Sequence, residues 1–217
     1  MAQRHSDAHA ASARIVAILL AAGRSQRMGD RNKLLMDVGG QPMVRRVAAT
    51  LLASRVHEVI AVLGHDRALV AAAFAGMPLR IVINAEYASG QISSVRAGIA
   101  AIAEHPAAIV VALADQPALD PADINLLVDA FLALPEPKIL VPVYGGQRGN
   151  PIVLPGGQRQ VLLAGGVNFG CRNLIERHPE AVVRIEAPNP HYVEDIDTPA
   201  AYNVWVGAHS SRRTMAD

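Results

Sequence analysis

Up to Leu134, short apolar runs alternate with amphipathic stretches, and this alternation most limits what the chain can fold into. The runs are Ile15–Leu20, Glu58–Leu63, Leu79–Ile83 and Ala107–Leu113. Runs of this length, with little polar alternation, suit parallel strands covered on both faces. Between them lie helical signals. Pro42 suits a first helical turn, with Val44, Val47, Leu51 and Leu52 on one face and Arg45 and Arg46 turned away. Asp66 can cap a helix running to Ala73, and Ser93 to Ala103 reads as a helix with Ser93 or Ser94 near its start. Asp120-Pro121 is a cap followed by proline at the first helical position, with Leu126, Leu127, Ala130, Phe131 and Leu134 as the apolar face. Strands alternating with helices imply βαβ units and a parallel sheet. Right-handed crossovers then place the strand ends on one edge, where such sheets bind ligands.

The rest of the chain is less regular. Lys138–Val143, Ile152–Leu154 and Val182–Ile185 read as strands, and Tyr144 to Pro151 as a turn-rich connection. Gly156-Gly157 and Gly165-Gly166 break the chain, Arg172–Arg177 reads as a short helix, and Thr198-Pro199 starts a helix over Ala200–Val206. The segments 1–13 and 208–217 are expected to be disordered tails around a single domain, 14–207.

Composition excludes several function classes. The formal net charge is +1, from 20 basic and 19 acidic residues, without the basic excess of a dedicated nucleic-acid binder. Cys171 is the one cysteine, which rules out an internal disulfide framework and argues against a cysteine-based zinc site. No apolar run approaches the ~20 residues of a membrane span. The N-terminal stretch lacks the apolar centre of a signal peptide, so a cytoplasmic location is the expectation.

Any strongly positive site must therefore be local. Ile15–Leu20 runs into Ala21-Ala22-Gly23, with Arg24, Arg27 and Lys33 close behind. Small residues let backbone N–H groups approach an anion, and the cations neutralise it, so this loop suits a polyphosphate. An ordinary basic surface loop is the plainer alternative. Asp115 directly follows an apolar strand in LADQP, where a carboxylate suits Mg²⁺ held together with substrate phosphates; a turn-forming aspartate is the alternative. Asp195 and Asp197 supply further carboxylates before another helix. The histidines show no metal-ligand spacing, and there is no G-x-G-x-x-G after Leu20 to mark a dinucleotide-binding oxidoreductase.

LLAAGRSQRMG, NKLL, GQISSVRAG, LADQP, RGNPIVL and DIDTP occur in this order between Ile15 and Trp205. Together they resemble the molybdenum cofactor cytidylyltransferases and, more broadly, the molybdopterin guanylyltransferase-like nucleotidyltransferases. The resemblance implies a three-layer Rossmann-like α/β fold with a mostly parallel central sheet. It also implies a nucleotide half at about 14–135 and an acceptor half at about 136–207. Leu20, Ala21, Ala22, Gly23, Arg24, Arg27, Lys33, Gly90, Ser94 and Arg96 match the nucleotide-binding positions. Arg24, Lys33 and Asp115 match catalytic ones, and Asp115 and Asp197 match the Mg²⁺ ligands. Ala21-Ala22-Gly23 resembles the cytidylyltransferases, since the guanylyltransferases usually read Ala-Gly-Gly, and so implies CTP.

The implied reaction passes CMP from CTP to the phosphate of molybdopterin, with a molybdenum enzyme or its chaperone as onward partner. The acceptor side departs from the pattern. Asn150 stands where Arg-Gly-His-Pro is common, and Val167 to Arg172 differ from the usual Gly-Ala-Arg segment. Asn150 and Arg172 are the candidate acceptor contacts. A different phosphate acceptor, or a non-catalytic role in cofactor delivery, is the alternative.

Overall fold

The computed structural model describes residues 13–29, 31–164 and 175–210. Among the described residues eight strands form one sheet: β1 (Ile15–Ala21), β2 (Glu58–Leu63), β3 (Arg80–Ile83), β4 (Ala108–Leu113), β5 (Ile139–Tyr144), β6 (Gln147–Arg148), β7 (Ile152–Pro155) and β8 (Val182–Glu186). The helices are α1 (Met43–Leu52), α2 (Arg67–Ala73), α3 (Gln91–Ala101), α4 (Pro121–Leu132), α5 (Gln158–Ala164) and α6 (Pro199–Ser210). The strand order is β3-β2-β1-β4-β7-β5-β6, with β8 also paired to β5. β1 pairs in parallel with β2 and β4, β2 with β3, and β5 with β8, while β7 lies antiparallel between β4 and β5.

Every residue of β1 is buried, as its apolar run requires of a central strand. Its side chains divide by the two-residue period. Ile15, Ala17, Leu19 and Ala21 join a core with Val44 and Val47 of α1, Val70 of α2, and Ile124 and Leu127 of α4. Val16, Ile18 and Leu20 join a second core with Val95 and Ile99 of α3 and Leu162 of α5. These two cores make the three layers. Helix α3 sits so low on the sheet that a Cβ at Gly98 would meet Ile18 Cγ2 at 2.6 Å.

Side-chain directions depart from expectation in several places. The buried face of α4 is Ile124, Leu127, Val128 and Phe131, and Leu126 is 37 % exposed. Arg45 and Arg46 do not simply face solvent. Arg45 Nη1 donates to the Ala73 and Ala75 carbonyls, while Arg46 Nε donates to the Pro117 carbonyl and its guanidinium lies over the Trp205 ring. Asp66 precedes α2 without a side-chain cap bond and instead accepts from Asn32 Nδ2 at 3.1 Å. The last helix runs to Ser210, and Thr198 Oγ1 accepts from Ala201 N at 3.1 Å at its start. The tails 1–12 and 211–217, and Arg172 with its neighbours 165–174, lie outside the described residues. Among the described residues no helix is long and apolar enough to cross a membrane.

Candidate functional site

The parallel register aligns Leu20 with Val62 on one side and Leu113 on the other, so the loops after β1, β2 and β4 leave the sheet side by side. The loop after β1 is shaped by a few local bonds. Ser25 sits in the left-handed region (φ 51°) and opens a short 3-10 turn, Gln26–Met28. Ser25 Oγ accepts from Lys33 N at 3.2 Å, and Asn32 Oδ1 caps the turn Lys33–Leu35 by accepting from Leu34 N at 3.0 Å. These bonds turn Lys33 inward until only 9 % of it remains exposed.

Lys33 Nζ donates to Asp115 Oδ2 at 2.6 Å and to Asp197 Oδ1 at 2.5 Å. Arg27 Nη1 donates to the other oxygen of Asp197 at 2.7 Å. The backbone holds the three segments together: Ala114 N donates to the Leu20 carbonyl at 3.2 Å, and Ile196 N to the Asp115 carbonyl at 2.9 Å. Burial pulls the Lys33 ammonium pKa down, but the charges and hydrogen bonds of Asp115 and Asp197 outweigh it and the net shift is upward. Burial pushes Asp197 up, yet its bonds to Lys33 and Arg27 bring it below the usual value. Asp195 is pushed above its usual value, by burial first and then by the charges of Asp197 and Asp115.

Leu20, Ala22, Gly23, Arg24 and Arg27 line one cleft of about 340 Å³. Lys33, Ser94, Asp115 and Asp197 line it as well. Ala21 does not, because strand alternation turns its methyl into the opposite core. Gly90 precedes α3 with φ 115° and lies outside the cleft. Arg96 is drawn off to a separate groove, where its Nη2 donates to the Leu163 carbonyl at 2.9 Å. Asn150 stands apart from the cleft too, and its backbone N donates to the Tyr192 carbonyl at 2.8 Å.

Sequence reasoning missed Gln26, Tyr87 and Gln91, which also line the cleft. It also passed over the buried Asn84, whose Nδ2 donates to Ser93 Oγ at 2.8 Å and Ser94 Oγ at 3.0 Å. The signal for Asn84 was present, since it is the first residue after β3, as Asp115 is the second after β4.

Two groups of side chains have the spacing of metal ligands among the described residues: Asp115 with Asp195 and Asp197, and Asp120 with Asp123 and His191, each with ligand atoms within 4.8 Å of one another. The second is a structural knot. His191 Nδ1 lies 2.8 Å from Asp123 Oδ2, Asn189 Nδ2 donates to Asp123 Oδ1 at 2.8 Å, and Asp120 N donates to Asp123 Oδ2 at 3.0 Å. That knot anchors Tyr192, whose carbonyl also accepts from Gln116 Nε2 at 2.9 Å, beside the segment carrying Asp195 and Asp197. The first group has room for a cation. Among the described residues Asp115 Oδ1 is buried with no hydrogen-bond partner, and an uncompensated buried carboxylate oxygen is costly. A hard divalent cation bound by carboxylate oxygens fits that donor set.

Fold and cleft together define an α/β protein with cations and carboxylates converging at the strand ends, as a nucleotide-handling site requires. The chain belongs to the family of the MobA-like NTP transferase domain, whose model matches residues 17–182. Among its relatives, a nicotine blue oxidoreductase of Paenarthrobacter nicotinovorans is 34 % identical over 85 % of this chain and 92 % of that protein. A probable molybdenum cofactor guanylyltransferase of Natronomonas pharaonis is 35 % identical over 62 % of this chain and 68 % of that protein. In fold the chain resembles a nucleotidyl transferase from Methanothermobacter thermautotroptrophicus, with TM-score 0.75 and 22 % identity over 90 % of this chain and 99 % of that one. It likewise resembles Rv0371c from Mycobacterium tuberculosis H37Rv, with TM-score 0.74 and 24 % identity over 90 % and 99 %.

Proposed function

We propose that the protein transfers CMP from CTP to the phosphate of a molybdopterin-type acceptor, with Mg²⁺ bound by Asp115 and Asp197. The observation that carries this reading is Lys33 bridging Asp115 and Asp197 at 2.6 and 2.5 Å inside a cleft that Arg24 and Arg27 also line. In the transfer, an acceptor phosphate oxygen attacks the α-phosphorus of the nucleotide. The bond to the β-phosphate breaks, and pyrophosphate leaves with the electron pair. Most of this is positioning and charge stabilisation, and no covalent enzyme intermediate is needed. Lys33, Arg24 and Arg27 offset the charge that grows on the phosphate oxygens. Mg²⁺, when bound, polarises the same phosphates and helps orient them.

Ala22 supports the choice of CTP. It is 7 % exposed at the cleft wall, with its methyl beside Gly64, and it belongs to the Ala21-Ala22-Gly23 sequence that resembles the cytidylyltransferases. The likeness to a probable molybdenum cofactor guanylyltransferase supports the acceptor class, and GTP is the competing nucleotide. Thermal-shift titrations with CTP, GTP, ATP and UTP in Mg²⁺ test the nucleotide. The largest shift is expected for CTP, and a larger one for GTP would reverse the assignment.

A second reading rests on the relative named nicotine blue oxidoreductase, matched over 85 % of this chain. It predicts consumption of nicotine blue in a redox reaction. Pyrophosphate release without any such consumption would exclude it.

A further inference from the structure

We propose that Lys33 and Arg27 are resident counter-cations of the aspartate trio, so that the cleft takes its divalent cation as a metal–nucleoside triphosphate complex and rejects the free ion. This rests on the nucleotide-transfer reading above and adds the form in which the substrate is accepted. Three of the four carboxylate oxygens of Asp115 and Asp197 already hold a cationic donor: Asp115 Oδ2 and Asp197 Oδ1 hold Lys33 Nζ, and Asp197 Oδ2 holds Arg27. The fourth, Asp115 Oδ1, is buried with no hydrogen-bond partner among the described residues.

A free dication seated on these oxygens would have to displace Lys33 or sit beside it. Sitting beside it places an ammonium against a dication in a part-buried cleft, where like charges are poorly screened. Displacing it strips an ammonium whose side chain is only 11 % exposed of both its partners. The local charge points the same way. Asp115, Asp195 and Asp197 are already balanced by Lys33, Arg27 and the cleft-lining Arg24, so a free dication would leave the cleft positive.

A triphosphate removes the conflict. Its oxygens accept Lys33 and Arg27 as they leave the carboxylates, and the vacated oxygens then accept the metal. Metal and nucleotide are thereby coupled, and the coupling is reciprocal. Arg27 can follow the phosphates easily, since its side chain is 71 % exposed.

The test is Mn²⁺ binding followed by electron paramagnetic resonance, with and without the non-hydrolysable analogue α,β-methylene-CTP. The wild-type protein is expected to bind free Mn²⁺ weakly and to tighten at least 100-fold with the analogue. Lys33→Met is expected to bind free Mn²⁺ at least tenfold more tightly than wild type and to lose most of the gain from the analogue. Arg27→Gln, an exposed change that does not threaten folding, is expected to tighten free Mn²⁺ by a smaller factor. Adding Asp115→Asn to Lys33→Met must abolish the new binding, which places the ion in the cleft. If wild type binds the Mn²⁺–analogue complex while both single variants bind free Mn²⁺ no better than wild type, the counter-cation proposal is overturned and the nucleotide reading stands. If wild type takes up no Mn²⁺ even with the analogue, both fall.

Discussion

Gly64→Ala perturbs the cleft from behind, through packing alone. Gly64 directly follows β2, and a Cβ there would lie 2.5 Å from Tyr87 Cβ, 2.6 Å from Tyr87 Cγ and 2.9 Å from Ala22 Cβ. Ordinary carbon contacts are ~3.5–4.0 Å, so both neighbours must move by roughly 1 Å. Neither contact is the far end of a flexible side chain that could swing away. Overpacking of this kind costs about 1–3 kcal/mol. Replacing glycine gives back ~0.4–1 kcal/mol by restricting the unfolded chain. The net expectation is a loss of roughly 1–2 kcal/mol, a fall in Tm of ~2–8 °C for a domain of this size.

Because Tyr87 and Ala22 both line the cleft, the same substitution should also raise the nucleotide KM, about fivefold for each kcal/mol lost from binding. Thermal and urea melts, paired with nucleotide titrations, measure both effects. Gly23→Ala is the control, since nothing among the described residues lies within 4 Å of a Cβ there. It should keep or raise Tm while weakening nucleotide binding at the cleft wall. A Gly64→Ala protein as stable as wild type with unchanged KM would refute the seating of Tyr87 against Gly64.

Further predictions concern charge and the supports of the site. Asp197 has a lowered pKa, so its stabilising contribution is present above the usual carboxylate range and lost as pH falls through its folded value; Asp197→Asn should flatten acid denaturation. Asp195 is raised, so its ionisation opposes folding as pH rises through its folded value; Asp195→Asn should raise Tm at pH 7, with the gain vanishing in acid. Asp120→Ala removes the bond from Asp123 N and the capping box of α4, and should cost ~1 kcal/mol in urea melts. Tyr192→Phe removes a buried bond to the Asp123 carbonyl at 3.0 Å and should cost about 0.5–1.5 kcal/mol.

Much of the fold was legible because each local signal agreed with its tertiary setting. Glu58–Leu63 has the strand bounds expected from its apolar run, and Asp120-Pro121 starts α4 where the cap and proline place it. The antiparallel insertion of β7 between β4 and β5 was not legible, since strand order follows from pairing across the sheet and leaves no periodic trace in Ile152–Pro155. Leu126 was assigned to the core by residue type, whereas the neighbouring Ile124 and Val128 present the face that α4 buries.

The site divides in the same way. Lys33, Asp115 and Asp197 could be found because each lies in a loop at the sheet edge, and they meet directly. The placement of Ala21 was readable from strand alternation, since Leu20 and Ala22 flank it on the other face. Arg96 was not readable, because its direction depends on the carbonyl of Leu163 at the end of α5, a contact between distant parts of the chain.

Label transfer from [α-³²P]CTP to molybdopterin, measured with pyrophosphate release in Mg²⁺ and in excess chelator, tests the central claim most directly. Wild type should move label into the acceptor with one pyrophosphate per transfer. Chelation should stop it, and Asp115→Asn should lower the rate by roughly 10²–10³ or more, the scale of losing one charge-stabilising group, while remaining folded. Undiminished transfer by Asp115→Asn, or no pyrophosphate from any nucleotide and acceptor, would contradict the account.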